Sequence, residues 1–191
     1  MKEKIRQAAF WAAVTSALAL SLPSAAAAQG NDNDGCKLST LKGDYGLRIS
    51  GQVFNSAGGV VTQRDGIVMQ HYDGVGGITQ EDYVLANGVL VPGPPDPTTA
   101  FHIHESGKYR VNSDCTGSAT VNFPPPAVPG FSGAVIQMMF VLSNHGRTIH
   151  QIVSSLTPPG PTGKQATVPA NIHADGEKLG FVHEDDPENY Y

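Results

Sequence analysis

Apolar and polar residues alternate through most of the chain after residue 40, in short segments that end at turns. In segment 45–53 the odd positions are Tyr, Leu, Ile, Gly and Val, and the even positions are Gly, Arg, Ser and Gln. A period of two predicts strands with one buried face. Segments 67–72 and 78–91 repeat the alternation on either side of Asp73-Gly74, a dipeptide that predicts a hairpin turn. Asn87-Gly88 predicts a bend within the second of these segments.

The second half of the chain alternates between extended segments and loops rich in proline and glycine. Loops are predicted at 92–97, 124–129 and 158–163, because proline cannot donate a hydrogen bond to a sheet. Segment 134–143 is apolar at nearly every position, which predicts a strand that is buried on both faces. The other extended segments are 99–104, 108–112, 118–123, 148–156 and a short last one at 165–168.

Strands joined in this order, with no helices to cover a sheet, must bury their faces against one another. We therefore predict an all-β protein, a small antiparallel up-and-down β-barrel of about eight strands. Closing the barrel removes the exposed edges of the sheet. A sandwich of two sheets is the alternative, and the consecutive tight hairpins favour the barrel. A barrel of this size holds packed side chains or one small ligand.

The first 28 residues contain the three parts of a secretory signal peptide. Lys2, Lys4 and Arg6 precede an apolar run at 8–22, and the alanines at 25–28 offer a cleavage site. We predict a helical signal peptide at 1–28 that is cleaved, a barrel domain at 29–174 and an acidic, mobile tail at 175–191. The apolar run is shorter than the ~20 residues of a membrane helix, so we expect a periplasmic or secreted protein with no membrane span. An uncleaved amphipathic anchor is the alternative.

The expectation of export also determines how we interpret the two cysteines. Cys36 and Cys115 are the only cysteines, and oxidising compartments favour a disulfide between them. Two free buried thiols are the alternative.

The 191 residues include 12 basic and 17 acidic side chains, which gives a formal net charge of -5. Because phosphate binding needs a basic surface, we expect no nucleic-acid partner.

Four stretches resemble a group of exported bacterial proteins of the allene oxide cyclase barrel-like class. They are residues 36–46, 49–51, 72–78 and 107–117. Within them, L-K-G-D-Y-G at 41–46, D-G-V-G at 73–76 and Y-R-V-N-S-D-C-T-G at 109–117 have the pattern that recurs in that group, and the resemblance covers about residues 36–156. It implies a calycin-like barrel related to plant allene oxide cyclases and dirigent proteins. Related barrels form dimers or trimers, so the resemblance also implies a homo-oligomer. No catalytic residue of those proteins matches a position here, and the catalytic residues stay unknown.

The pair His102 and His104 is the most suggestive metal-binding motif. Residues two apart on a strand point to the same side, so both imidazoles could meet one metal ion. A third ligand would come from another strand, with His71, Glu81 and His150 as options. Two solvent-facing histidines are the alternative, and no cofactor is then implied.

Seven residues of the predicted strands are candidates to line a ligand in the lumen. An inward ionisable side chain would have a shifted pKa and could act as an acid, a base or an anchor, and methionine adapts to varied ligands. The alternative places the charged residues on the wetted outer face and the apolar ones in a packed core. Arg64 and Gln70 are weighed on the same grounds. The seven candidates are Arg48, Met69, His71, Glu81, Met138, Phe140 and His150.

Three functions fit these observations. The first is an exported, disulfide-linked barrel that binds a small apolar or aromatic molecule in its lumen. The second is a cyclase or isomerase of the allene oxide cyclase type, which would orient a reactive substrate and exclude water. The third is a structural or interaction module whose lumen is packed solid. An inward ionisable residue with a strongly shifted pKa would favour the enzyme over the carrier.

Overall fold

The computed structural model describes residues 35–91 and 95–180. The predicted signal peptide and residues 181–191 of the predicted tail lie outside this range. Within these residues two 3₁₀ helices occur, at Leu38–Leu41 and Asn144–Gly146. The strands are β1 (Lys42–Phe54), β2 (Val60–Asp73), β3 (Gly77–Ala86), β4 (Val89–Leu90), β5 (His102–Val111), β6 (Thr116–Asn122), β7 (Phe131–Ser132), β8 (Val135–Ser143), β9 (Thr148–Thr157), β10 (Gly160–Pro161) and β11 (Ala170–Lys178).

Eight of these strands form one closed antiparallel barrel. Their order around the barrel is β2-β1-β11-β9-β8-β6-β5-β3, and β3 pairs again with β2 to complete the ring. The short strand β4 pairs with β3, and β7 and β10 pair with each other between two loops. The predicted barrel is confirmed and the sandwich is wrong. Among the described residues, no helix has the length and the hydropathy to cross a membrane.

Turn chemistry accounts for the hairpin between β2 and β3. Gly74 and Gly76 have φ angles of 83° and 111°, which glycine adopts without strain. The side chain of Asp73 accepts hydrogen bonds at 2.8 Å from the backbone N–H groups of Val75 and Gly77. The predicted bend at Asn87-Gly88 is also present, since β3 ends at Ala86 and both residues have positive φ.

The last strand differs from the prediction. Segment 165–168 contributes only an isolated bridge between Leu156 and Val168, and the strand that follows is β11. β11 extends to Lys178, into the segment predicted as a mobile tail, and pairs with both β1 and β9. The alternation of apolar and polar residues in β11 is weak because its inward positions include Ala174 and Gly176. A Cβ atom at Gly176 would lie 2.5 Å from the Leu47 side chain, so the close approach of β11 to β1 requires glycine.

Strand β8 is not buried on both faces, which corrects the prediction for segment 134–143. Met138, Phe140 and Leu142 are buried in the barrel, whereas Met139 and Val141 are each 50% exposed on the outer face. No described element packs over them, so the outer side of this apolar strand contacts solvent.

One end of the barrel, which we call the tyrosine end, is closed by Tyr45, Tyr72, Tyr109 and the 3₁₀ helix Leu38–Leu41. The ring of Tyr72 makes edge-to-face contacts with Tyr45 and Tyr109, at centroid distances of 5.5 and 5.0 Å. The hydroxyl of Tyr45 donates a hydrogen bond to the backbone oxygen of Gly146. The predicted disulfide is confirmed, and it joins the segment before this helix to the turn before β6.

Candidate functional site

Six polar side chains are buried inside the barrel, beyond the tyrosine end. They come from four strands, β2, β3, β5 and β9, and each is at most 5% exposed. Burying a polar side chain costs free energy unless the side chain is hydrogen-bonded, so six of them together in a small barrel are unusual. We call this set the polar cluster, and its members are Gln70, Gln80, Asp82, His102, Glu105 and Gln151.

A bulge in β5 brings His102 and Glu105 to the same side of the sheet. Gln80 pairs with Glu105 and Asp82 pairs with His102, so β5 has one extra residue between the two pairs. His104 lies in the bulge, with a φ of 70°, and its side chain is exposed. The structure therefore does not bring His102 and His104 together. Residues two apart on a regular strand point to the same side, but the extra residue of the bulge interrupts this alternation, so His102 points inward and His104 outward.

Asp82, His102 and Glu105 form a compact ionisable group within the polar cluster. One potential ligand atom from each residue lies within 4.8 Å of the other two. Nδ1 of His102 is 2.9 Å from Oδ1 of Asp82. Nε2 of Gln80 donates to Oε2 of Glu105 at 2.7 Å and more weakly to Oδ2 of Asp82 at 3.4 Å. The group is therefore held by strand-borne side chains on two adjacent strands.

Two carboxyl groups share this poorly solvated space, which disfavours their charged forms. Burial, and next the charge of Asp82, raise the pKa of Glu105 to about 9. Burial also raises the pKa of Asp82, although hydrogen bonding to His102 opposes the shift. The two carboxyl groups thus favour binding a positive charge. Arg64 on β2 interacts electrostatically with Asp82 and opposes this preference in part.

The glutamines link the ionisable group to the tyrosine end. Nε2 of Gln70 donates to Oε1 of Gln80 at 2.8 Å, and the hydroxyl of Tyr72 donates to Oε1 of Gln70 at 2.7 Å. Nε2 of Gln151 donates to the same Gln70 oxygen at 2.8 Å and to the Tyr72 hydroxyl at 2.9 Å. The hydrogen bonds therefore form one continuous network from Tyr72 to His102.

Two buried acceptor atoms in this network have no hydrogen-bond partner among the described residues. They are Oε1 of Glu105 and Oε1 of Gln151. Buried polar atoms are nearly always paired in folded proteins, so each of these atoms marks a place for a further group. If Glu105 is protonated, it can share its proton with Asp82, and this hydrogen bond would satisfy the Glu105 carboxyl group in part.

The seven predicted ligand-lining residues divide between the two faces of the barrel. Met138 and Phe140 are buried inside it, where Met138 accepts a weak contact from Gln70 at 3.9 Å. The other five lie on the outer face, and these are Arg48, Met69, His71, Glu81 and His150. Two of the outer histidines contact carboxylates there, His71 with Asp44 at 2.6 Å and His150 with Asp175 at 2.7 Å.

Sequence reasoning considered Gln70 and His102 and missed Gln80, Asp82, Glu105 and Gln151. A signal for two of them exists in β3, where Gln80 and Asp82 alternate in phase with Ile78 and Val84. Polar residues between apolar residues of the same face indicate buried polar groups. Glu105 carries no such signal because the bulge changes its phase.

Two surface grooves lie on the outside of the barrel and do not include the polar cluster. One has a volume of about 580 Å³ and is lined mainly by outward residues of β1, β2, β3 and β11. The other, of about 520 Å³, lies on β1, β2 and β3 beside Phe101. None of the six polar residues lines either groove.

Comparison with protein-family models, curated proteins and solved structures finds no match for this chain. The barrel agrees with the architecture that the allene oxide cyclase resemblance implies. The agreement reaches no further than a closed, eight-stranded antiparallel barrel.

Proposed function

We propose that this is an exported barrel whose lumen binds a small molecule carrying a hydrogen-bond donor. The supporting observation is Oε1 of Gln151, an acceptor in a side chain that is 5% exposed and has no partner among the described residues. The two hydrogens on Nε2 of Gln151 are already used by Gln70 and Tyr72, which fixes the direction of the free oxygen. A donor group of a guest molecule would complete this network.

Because of the polar cluster, we propose an amphiphilic ligand where the sequence led us to expect an apolar or aromatic one. The lumen combines glutamine and carboxyl groups with apolar neighbours such as Met138 and Phe140. Such a surface complements a small amphiphilic molecule, with its polar group toward Gln151 and its apolar part toward the methionine.

Native mass spectrometry of the protein exported by its own host tests this proposal. We expect the wild-type protein to retain a small organic molecule and Gln151→Met to lose it, because methionine keeps the volume and removes the acceptor. Gln137→Met is the matched control, since Gln137 is exposed on the outer face of β8. A wild-type spectrum with no retained molecule would support the filled, structural barrel instead. The same spectra report the oligomer mass and so test the expected homo-oligomer.

A cyclase or isomerase is the second candidate, and the ionisable group of Asp82, His102 and Glu105 favours it. Inward ionisable side chains with shifted pKa values are typical of sites that perform chemistry. Incubating the protein with its retained molecule distinguishes the two functions. Recovery of the molecule unchanged supports a carrier, and conversion that His102→Gln abolishes while His104→Gln does not supports an enzyme.

A further inference from the structure

We propose that Asp82, His102 and Glu105 bind one divalent transition-metal ion of the zinc class inside the barrel. This site uses different atoms from the guest at Gln151 and does not depend on it. It replaces the H-x-H pair predicted from the sequence with one histidine and two carboxylates from β3 and β5.

The distances between the three side chains fit a metal site. Oδ1 of Asp82 and Nδ1 of His102 are 2.9 Å apart, and the three ligand atoms lie within 4.8 Å of one another. Zinc binds nitrogen and oxygen ligands at about 2.0–2.2 Å, which places neighbouring ligand atoms about 3 Å apart. An ion that lies to one side of the line between these two atoms could therefore replace the proton between Asp82 and His102 with little movement of either side chain.

Glu105 supplies the independent observation that a ligand belongs here. Its side chain is 1% exposed, and its Oε1 atom has no hydrogen-bond partner among the described residues. A buried carboxylate oxygen without a donor is costly. When no ion is bound, a proton shared with Asp82 reduces that cost, and a metal ion would satisfy the oxygen directly. An isolated acidic residue on the surface would have no such requirement.

Gln80 is placed to orient both carboxylates. Its Nε2 group donates to Oε2 of Glu105 and to Oδ2 of Asp82, which leaves one oxygen of each carboxylate available for an ion. Groups that hydrogen-bond to metal ligands commonly fix their orientation in this way. Gln80 is thus a positioning residue rather than a ligand.

Charge balance also supports the site. Two carboxylates and a neutral imidazole carry a charge that a divalent ion neutralises, and the poorly solvated interior strengthens that attraction. Arg64 opposes the ion in part, but it is only partly buried and water screens its charge.

The ligand types indicate which ions fit. Imidazole favours zinc, copper, iron and nickel, and carboxylates also suit manganese. Three protein ligands leave at least one coordination position for water or for an oxygen or nitrogen atom of a guest. We therefore choose Zn²⁺ as the probe and Co²⁺ as a spectroscopic substitute.

The experiment uses the untagged protein with its disulfide intact, freed of metal with a chelator and titrated with Zn²⁺ in a calorimeter. We expect one Zn²⁺ per chain, and an affinity at least about 100-fold lower in Glu105→Gln and in His102→Gln. Two matched controls, Glu81→Gln and His104→Gln, alter exposed side chains of the same strands and should bind as the wild type does. Bound Co²⁺ should give visible absorption bands that the two site variants lack.

Folding of each variant is checked by thermal melting in the absence of metal. Glutamine at position 105 has the shape of a protonated glutamate and should preserve the barrel, and Asp82→Asn replaces any variant that fails to fold. Zinc should raise the melting temperature of the wild type and not that of Glu105→Gln. The proposal is overturned if the wild type binds no Zn²⁺, or if His104→Gln weakens binding as much as His102→Gln. Gln151→Met should lose the organic guest but keep the zinc, so the two proposals fail separately.

Discussion

Two regions of the lumen, the tyrosine end and the polar cluster, both contain buried polar side chains, but the hydrogen bonding of the two sets differs. At the tyrosine end, hydroxyl groups donate to backbone oxygens, Tyr45 to Gly146 and Tyr109 to Leu38 at 3.1 Å. In the polar cluster, Glu105 and Gln151 each keep one acceptor atom without a partner among the described residues. The first arrangement is complete in itself, and the second is not.

The interactions at the tyrosine end therefore stabilise the fold, whereas the polar cluster contains acceptor atoms that a ligand could bind. The rings at the tyrosine end pack edge to face and the disulfide joins the neighbouring segments, so removing any of these groups should destabilise the fold. The polar cluster instead buries carboxyl groups together at a cost in free energy. Proteins accept such local costs most often where they bind or react.

The largest effect is expected from removing the disulfide. The double variant Cys36→Ser with Cys115→Ser frees a loop that the bond closes across a sequence separation of 79. We expect the free energy of unfolding to fall by about 2–5 kcal/mol, because the unfolded chain regains the entropy of that loop. Urea denaturation measures the change. An unchanged midpoint would mean that the tyrosine end is stable without the disulfide.

Alkaline pH should destabilise the same end through its tyrosines. Burial, with a smaller effect from Tyr109, raises the pKa of Tyr45 to about 12, and burial also raises the pKa values of Tyr72 and Tyr109. Below pH 10 these groups are protonated in both states, so stability does not depend on them. Above pH 10 the unfolded chain loses these protons first, and the free energy of unfolding should fall as the pH rises toward 12.

Absorbance at the tyrosinate band, followed together with circular dichroism, checks this prediction. The buried tyrosines should ionise only as the barrel unfolds. Their ionisation in a folded barrel near pH 10 would show that the tyrosine end is open to water.

Tyr72→Phe should have an intermediate effect, because Tyr72 joins the two regions. Its hydroxyl donates to Gln70 and accepts from Gln151, so its removal leaves a buried donor of Gln151 without a partner. We expect a loss of about 1–3 kcal/mol in the free energy of unfolding. Tyr83→Phe, whose ring contacts Phe101 outside the lumen, is the control and should change stability much less.

Gln151→Met should have the smallest effect, about 1 kcal/mol or less in either direction. It removes an unsatisfied acceptor, while Gln70 keeps the hydrogen bond donated by Tyr72. Urea midpoints of this variant and of Tyr72→Phe, both measured on protein freed of any retained guest, should therefore differ clearly. An equally large loss in both would mean that another group of the protein already satisfies Gln151, and the contrast between the two regions would fail.

Local sequence determined most of the strands, the turns and the disulfide. The period-two pattern marks β1, the Asp73-Gly74 turn marks the hairpin of β2 and β3, and the expectation of an oxidising compartment predicted the bond between Cys36 and Cys115. The strands and turns depend on residues close together in sequence, and the disulfide depends on an oxidising environment. The amino-acid pattern alone therefore predicts them.

Only the tertiary structure decided which face of each strand is inside. In β2 both faces carry an aliphatic residue, a polar or sulfur-containing residue and an aromatic ring, so the pattern does not separate Ile67, Met69 and His71 from Val68, Gln70 and Tyr72. Closure of the barrel by β3 and β1 selected the second set. The bulge at His104 then turned Glu105 inward, because a strand that pairs with two neighbours must absorb an extra residue locally. The candidate site exists only because of that shift, and a residue pattern with a period of two cannot describe it.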